Sequence, residues 1–299
     1  MADRLEICCS IQLSYGTNAG YKSTISAVSF QIVSVYLPYW NFLSNIHMKL
    51  PLRLEPVIDT VYKLVPARPA RRLSEELDSE KLKEIVAENP AHFAAREALA
   101  DRLVAQNRIE EACQVRLDGC MLVCELMDAT DDEFVTLDWE DPYTAQALAM
   151  VYDSAEDHFM IGDFEMAAAM LELLQDRDPE DHLNASALLI YCYIALQEWE
   201  LFDDTAELLA ADDLAARLAR YWADFMRHPD GREQLRDRMK RDDPALFGEW
   251  SGREHEISPR YQEDIASRRP SPAAQARRLW LHTEPLRREL PEFVQFLEA

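Results

Sequence analysis

A helix–turn–helix pattern recurs along the middle of this chain of 299 residues. In its first copy, Leu99 and Leu103 lie on one apolar stripe, and Asn107 offers a turn. A second apolar stripe begins at Ile109 and continues at spacings of three and four residues as far as Met127. This spacing predicts a helix, a tight turn and an antiparallel helix.

The pattern returns further along the chain. Residues 145–179 have Gly162 at the turn, a third copy has Gln197 there, and a looser copy spans residues 214–244. The first and second turns lie 55 residues apart, whereas the second and third lie 35 apart. We therefore expect the array to be interrupted after its first pair, by the acidic loop of residues 128–143.

These copies resemble tetratricopeptide repeats, in which small residues let two helices approach closely on either side of a turn. The matching residues are Ala100, Asn107, Ile109 and Ala112 in the first copy, and Ala155, Gly162, Phe164, Ala167 and Pro179 in the second. The third copy departs from the pattern, with Phe202 where the repeats have alanine. The resemblance implies a right-handed α-solenoid of antiparallel helix pairs, each of which buries its apolar face against its neighbours.

Residues 90–299 also resemble bacterial relatives of the suppressor-of-tumorigenicity family of repeat-like proteins. This resemblance rests on "LDWEDPY" before the second copy, on "ALFGEW", and on the C-terminal segment that begins "PRYQ". It implies an interaction protein without a defined chemistry. Only 7 glycines are present, which is few for nucleotide-binding turns or for many hairpins. We therefore predict an all-α fold, a tetratricopeptide-like solenoid with a C-terminal capping helix.

Four segments are predicted. Residues 1–47 form an atypical extension that we expect to be poorly ordered or non-native. Residues 48–88 are expected to hold N-terminal helices and a basic linker, residues 89–252 the repeat domain, and residues 253–299 the capping segment.

One stretch of the extension raises the question of a membrane span. Residues 25–46 are strongly apolar, but Gln31, Pro38 and Asn41 interrupt them. We therefore expect no contact with a membrane unless these residues form a real span, and we expect a cytoplasmic protein. The 6 cysteines do not resemble a disulfide framework, which favours the same compartment.

Three local predictions concern the segment that joins the extension to the repeats and the acidic loop. Apolar residues at helical spacing predict an amphipathic helix over residues 54–65. Ser74 is predicted to cap the next helix. In the acidic loop, Trp139 and Tyr143 are predicted to pack the loop onto the helix that follows it.

The charge of the chain is unevenly distributed. The net charge is −24, and residues 117–216 contain 26 Asp or Glu residues against one basic residue, Arg177. Such a surface repels phosphates, so we predict no binding to nucleic acid or to anionic membranes. A protein or peptide partner is expected to be basic.

Enzymatic chemistry has little support. "GTNAGYKST", residues 16–24, lacks the spacing of a phosphate-binding loop, because three residues rather than four separate its glycines and Lys22 is out of register. Cys113, Cys120 and Cys124 lie on one helical stripe without the closer ligand pair of a zinc site, and are predicted to be buried. We predict no catalytic residues, no cofactor and no metal.

The predicted function is a non-enzymatic scaffold whose acidic groove favours basic peptide segments. The candidate groove residues are Tyr143, Asp153, Asp157, Tyr191 and Glu198, because they fall on or beside the first helices of the pairs. Two alternatives are a nucleic-acid mimic that inhibits a DNA-binding protein, and a divalent-metal-dependent enzyme that uses the acidic loop. A further expectation is intramolecular docking, in which the arginine pairs at 268–269, 277–278 and 287–288 lie against the acidic block.

Overall fold

The computed structural model describes residues 50–70, 72–74, 77–130 and 135–299. The strands are β1 (Leu52–Ile58), β2 (Val61–Pro66) and β3 (Thr136–Leu137). The helices are α1 (Ser79–Glu88), α2 (Phe93–Ala105), α3 (Ile109–Asp128), α4 (Pro142–Ile161), α5 (Phe164–Arg177), α6 (Ser186–Leu196), α7 (Trp199–Leu208), α8 (Leu214–Arg227), α9 (Arg232–Asp242), α10 (Pro244–Trp250), α11 (Pro259–Ile265), α12 (Pro272–His282), α13 (Glu284–Glu289) and α14 (Glu292–Glu298). The predictions for residues 1–47, including the span over 25–46, lie outside the described residues.

The described residues form two compact units. The N-terminal unit comprises the described residues up to 155 together with residues 169–183, and the C-terminal unit comprises residues 156–168 and 184–299. Helices α4 and α5 contribute residues to both units.

A three-stranded sheet corrects the prediction of an all-α fold. Strands β1 and β2 form an antiparallel hairpin, and β2 pairs in parallel with β3. The helix predicted over residues 54–65 is therefore wrong. Pro56 would interrupt a helix there, since it lacks an N–H and clashes with the preceding turn, and the β-branched and aromatic neighbours suit a strand. Asp59 adopts a φ of 45° in the tight turn between the strands.

The sheet is joined to α4 through a buried hydroxyl. Thr144 is 0% exposed, and its Oγ1 accepts a hydrogen bond of 2.9 Å from the backbone N–H of Leu64 in β2. The same hydroxyl donates to Oδ1 of Asp141 at 2.8 Å. Asp141 also accepts from the backbone N–H of Thr144, so it caps the start of α4.

Replacing Thr144 by valine should lower the free energy of unfolding by about 1–3 kcal/mol. The valine keeps the shape but leaves the N–H of Leu64 buried without an acceptor. Urea denaturation followed by circular dichroism measures the loss. Thr144→Ser is the matched control, because it retains the hydroxyl and should lose less. Equal losses in the two variants would show that the hydrogen bond is not what stabilises this junction.

The start of α1 also differs from the prediction. Ser74 is not its cap, because the helix begins at Ser79 and Asp78 precedes it. Oδ1 of Asp78 accepts a hydrogen bond of 2.9 Å from the backbone N–H of Lys81. The cap is therefore Asp78, an acidic residue directly before the helix. Its negative charge also interacts favourably with the positive N-terminal end of the helix dipole.

The three predicted turns share one backbone geometry, which confirms the helix–turn–helix prediction. Asn107, Gly162 and Gln197 all adopt left-handed conformations, with φ of 58°, 87° and 59°. In each turn the N–H of the next residue bonds to the carbonyl five residues earlier. The three bonds are Arg108 to Leu103 at 2.8 Å, Asp163 to His158 at 2.9 Å and Glu198 to Tyr193 at 3.0 Å. This is the Schellman pattern of helix ends.

The second helix of each pair begins two residues after its turn and buries the predicted positions. Helices α3, α5 and α7 start at Ile109, Phe164 and Trp199. Three residues further on, the chain has Ala112, Ala167 and Phe202, which are 0%, 0% and 3% exposed. Phe202 replaces the expected alanine and is nevertheless buried.

The C-terminal unit is built around α8. This helix contacts α6, α9, α12 and α14, and its most buried large residue is Trp222. The indole of Trp222 lies 5.1 Å from the ring of Phe293 on α14, measured between centroids. The prediction of a single C-terminal capping helix is wrong, because residues 259–298 form four short helices, α11 to α14. Pro259, Pro272 and Pro285 each stand in the first turn of one of them, where proline is tolerated but ends any preceding helix.

An acidic side chain is buried beside α8. Asp243, between α9 and α10, accepts a hydrogen bond of 2.7 Å from the hydroxyl of Tyr221. Its other oxygen lies 2.8 Å from a terminal nitrogen of Arg217, and the Asp243 side chain is only 5% exposed. Burial and the bond to Asp243 raise the pKa of Tyr221. The carboxylate is therefore a buried charge that depends on both partners.

Candidate protein-interaction surface

Helix α7 buries only one side. Phe202, Thr205 and Ala206 are buried, and they lie three or four positions apart along the helix. The helix packs against α6. Arg220 on α8 donates a hydrogen bond of 2.6 Å to the carbonyl of Ala206, close to the C-terminal end of α7. The remaining side of α7 is free to face solvent.

That side combines carboxylates with leucines. We define the α7 surface as the exposed residues Glu200, Leu201, Asp203, Asp204, Glu207 and Leu208. Leu201 is 44% exposed and Leu208 is 74% exposed. They are seven residues apart and so lie on one stripe, about 10 Å apart along the axis. Glu200, Asp204 and Glu207 follow a neighbouring stripe at spacings of four and three residues.

The carboxylates of the α7 surface differ in their partners. Asp203 forms two hydrogen bonds with Arg227 of α8, at 2.7 and 3.0 Å, and this contact raises the pKa of Arg227. Glu200, Asp204 and Glu207 form no ion pair with any residue in the described part of the chain. Like charges three or four residues apart on a helix repel each other. The surface therefore has unneutralised negative charge next to an apolar stripe.

The predicted groove residues lie in different settings. Glu198 is exposed and immediately precedes α7, so it lies next to the α7 surface. Asp153 is half-buried on α4. Tyr143 is also half-buried, and its hydroxyl donates to the carbonyl of Ala91 at 2.7 Å. It packs against Phe93 of α2, with ring centroids 5.4 Å apart.

Two of the groove residues do not face solvent. Tyr191 is 1% exposed, and its hydroxyl donates to the carbonyl of Ala215 at 2.8 Å. Burial raises the pKa of Tyr191. Asp157 is 8% exposed. In this structure the side chains of Tyr191 and Asp157 are therefore not accessible to a partner.

The two leucines of the α7 surface were not predicted as surface residues from the sequence. The stretch "QEWELFDDTAELL" carries both, at a spacing that fits one helical stripe. Periodicity alone does not say which of two apolar stripes on a short helix faces the core. The signal that separates them is the concentration of carboxylates beside Leu201 and Leu208.

The arginines near the C-terminus lie close to groups both outside and inside the acidic block. Arg277 bonds to the carboxylate of Glu249, and also to the backbone carbonyls of Glu254 and Glu256 at 3.2 and 2.7 Å. The guanidinium of Arg287 lies 3.6 Å from the ring centroid of Trp280. The Glu249, Glu254 and Glu256 contacts lie outside the acidic block of residues 117–216. Helix α13, which carries Arg287 and Arg288, contacts α6 inside that block.

Several histidines have acidic neighbours that sequence spacing did not reveal. His158 lies 3.0 Å from Asp163, and His255 lies 2.7 Å from Glu249. His255 also stacks on Trp280, with ring centroids 3.8 Å apart. These hydrogen-bond partners are carboxylates, not hydroxyls or thiols. Geometrically, the pairs orient histidine rings but do not assemble a nucleophile with its base.

The side chains that could bind a metal ion are dispersed. Within the described residues, no group of three or more His, Cys, Asp or Glu side chains is placed to hold a metal ion. Cys120 is buried with its Sγ 3.8 Å from that of Cys124, and this contact together with burial raises the pKa of Cys120. Cys113 and Cys124 are only half-buried, so the prediction that all three cysteines are buried holds for Cys120 alone. Part of the acidic loop, residues 131–134, lies outside the described residues.

Trp139 stacks on His182, in the loop after α5, with ring centroids 4.9 Å apart and the planes 5° from parallel. No helix in the described ranges is both long and apolar enough to cross a bilayer.

Comparisons of the chain with protein-family models, with curated proteins and with solved structures found no match.

Proposed function

We propose that this protein is a non-enzymatic interaction scaffold, and that the α7 surface binds a basic, amphipathic segment of a partner protein. The observation that carries the proposal is the pairing of two exposed leucines with carboxylates on one helix face. Exposed apolar residues next to charge are typical of surfaces that bind other proteins.

Charge complementarity defines the partner. Three carboxylates of the α7 surface, Glu200, Asp204 and Glu207, repel one another in the free protein. A cationic side chain placed between them would relieve this repulsion, whereas an acidic partner would increase it. The leucine stripe supplies burial that charge alone does not give. The partner should therefore present Lys or Arg beside apolar residues, with a helical spacing that matches Leu201 and Leu208.

The scaffold is proposed to be a tetratricopeptide-like solenoid. The shared turn geometry at Asn107, Gly162 and Gln197 supports this arrangement. So does the contact of α6 with α8, because the first helices of successive pairs pack together in such arrays. In this proposal the sheet of β1, β2 and β3 is an addition to the array of helix pairs.

A designed peptide can stand in for the partner and test the proposal. The probe is a fluorescently labelled helical peptide with leucines seven residues apart and lysines beside them. An otherwise identical peptide with glutamates in place of the lysines is the comparison. We expect fluorescence anisotropy to detect binding of the basic peptide and not of the acidic one.

Two variants locate the binding. Leu201→Ser with Leu208→Ser should weaken binding at least tenfold, because burying one leucine contributes about 1.5–3 kcal/mol. Neutralising the carboxylates with Glu200→Gln, Asp204→Asn and Glu207→Gln should weaken binding and reduce its dependence on salt. The matched control removes three exposed charges elsewhere in the same unit, by Asp230→Asn, Glu233→Gln and Asp237→Asn. Equal affinities in the two charge variants, or no binding of the basic peptide, would refute the proposal.

A further inference from the structure

His182 lies in the loop after α5, surrounded by acidic groups of the N-terminal unit. Its Nδ1 is 2.7 Å from Oδ1 of Asp178, and its backbone N–H donates to the other oxygen of Asp178 at 2.9 Å. Its Nε2 is 3.4 Å from Oε2 of Glu180. The carboxylate of Glu140, on the segment between β3 and α4, also acts on it electrostatically.

These contacts favour the protonated imidazole. Ionised carboxylates accept hydrogen bonds and cannot donate them. Both ring nitrogens of His182 can therefore donate to their acidic neighbours only when the ring carries two protons. A neutral ring would direct a lone pair at one of the two carboxylates. The arrangement thus fits the cationic form.

Trp139 adds a second contact that depends on the same charge. Its ring lies parallel to that of His182, with centroids 4.9 Å apart. A cation over an indole face within about 6 Å is attracted by the negative charge of the ring face. Loss of the imidazolium charge would therefore weaken the stack and the carboxylate contacts together.

The segment that carries Trp139 joins several elements. The backbone N–H of Asp138 donates to the carbonyl of Tyr62 in β2 at 2.8 Å. Asp141 caps the first turn of α4 through Thr144. Residues 138–141 therefore connect the sheet to α4. The stack of Trp139 on His182 is one of the contacts that attach this part of the chain to the end of α5, where Arg177 also donates to the carbonyl of Val135 at 3.1 Å.

We propose that His182 is a pH-sensitive latch, which holds residues 138–141 against the loop after α5 when its imidazole is protonated and releases them when it is neutral. The titratable groups that face the ring are Asp178, at the end of α5, Glu180, in the same loop as His182, and Glu140, on the latched segment. This inference is independent of the α7 surface.

The direction of the pH dependence follows from these groups. The hydrogen bond to Asp178, followed by the charges of Asp178, Glu180 and Glu140, raises the pKa of His182 above its ordinary value. The contribution of protonated His182 to stability is therefore complete below the pKa that a histidine has in the unfolded chain, about 6.5. It is lost as pH rises through the higher pKa of the folded protein.

The first test measures the titration of His182 directly. Proton NMR of the full-length protein, with His182 assigned by comparison with His182→Gln, should give a midpoint above that of the same histidine in denaturant. Glu180→Gln should lower the midpoint, and Asp178→Asn should lower it further. Glu180→Gln changes an exposed side chain, so its result does not depend on the fold tolerating a buried substitution. Equal midpoints in the folded and denatured chains would overturn the proposal.

The second test measures the latch itself. Amide hydrogen exchange of residues 138–145, expressed as protection factors so that the intrinsic pH dependence cancels, should fall severalfold between pH 6 and pH 9. In His182→Gln the protection should be low at both pH values. His228→Gln changes an exposed histidine at the end of α8 and should behave like the parent protein. The same change in protection in the parent and in His182→Gln would show that another group releases the segment.

Discussion

Asp243→Ala should lower the free energy of unfolding by about 2–4 kcal/mol. The substitution removes the partner of Arg217 and the acceptor of the Tyr221 hydroxyl in a region where the Asp243 side chain is only 5% exposed. The Tyr221 hydroxyl loses its buried acceptor, whereas solvent and the carbonyl of Asp212 compensate part of the loss at Arg217, whose side chain is 34% exposed. Urea denaturation at neutral pH, followed by circular dichroism, measures the loss.

The adjacent residue supplies the matched control. Asp242 pairs with Arg241, and its side chain is 46% exposed. Asp242→Ala should change stability by no more than about 0.5 kcal/mol, as surface substitutions usually do. A similar loss in the two alanine variants would contradict the view that burial of Asp243 determines the effect.

Trp222→Ala should also destabilise the C-terminal unit by about 3–5 kcal/mol. Trp222 is 0% exposed, and its removal leaves a cavity beside Phe293 that the surrounding helices fill only in part. Differential scanning calorimetry, or denaturation followed by circular dichroism, measures the change.

Trp222→Phe separates ring packing from hydrogen bonding. The indole Nε1 of Trp222 finds no acceptor among the described residues, so phenylalanine removes a buried donor that has no partner. We expect Trp222→Phe to lose much less stability than Trp222→Ala, since it retains an aromatic ring against Phe293. If phenylalanine and alanine were equally destabilising, loss of packing volume could not explain the effect.

The helix pairs are predictable because their signals are local. The stripe around Leu103, the turn residue Asn107 and the stripe from Ile109 lie close together in the chain. The hairpin is missed although its signals are equally local. Val57, Ile58 and Val61 satisfy a helical spacing, and in this segment Pro56 is the residue that disfavours a helix.

The candidate sites required information that a single sequence does not contain. Leu201 and Leu208 can be identified as surface residues only once α6 has packed against the other side of α7. Trp139 and His182 are 43 residues apart in the chain, and neither belongs to a periodic stripe. The end of α5 lies beside the segment before α4 only because of the tertiary packing of the helices. Local patterns therefore located the helices but not the contacts between loops.

The left-handed turns have one further consequence, for the composition of the repeat. Glycine adopts this conformation without strain, whereas for a residue with a side chain, such as Gln197, the left-handed backbone costs about 1 kcal/mol of conformational energy. The hydrogen bonds of the turn and the burial of Phe202 nearby hold Gln197 in place against that energy. What recurs along this chain is thus a geometry that asparagine, glycine and glutamine can each occupy, and a search for one residue type at the turns would miss it.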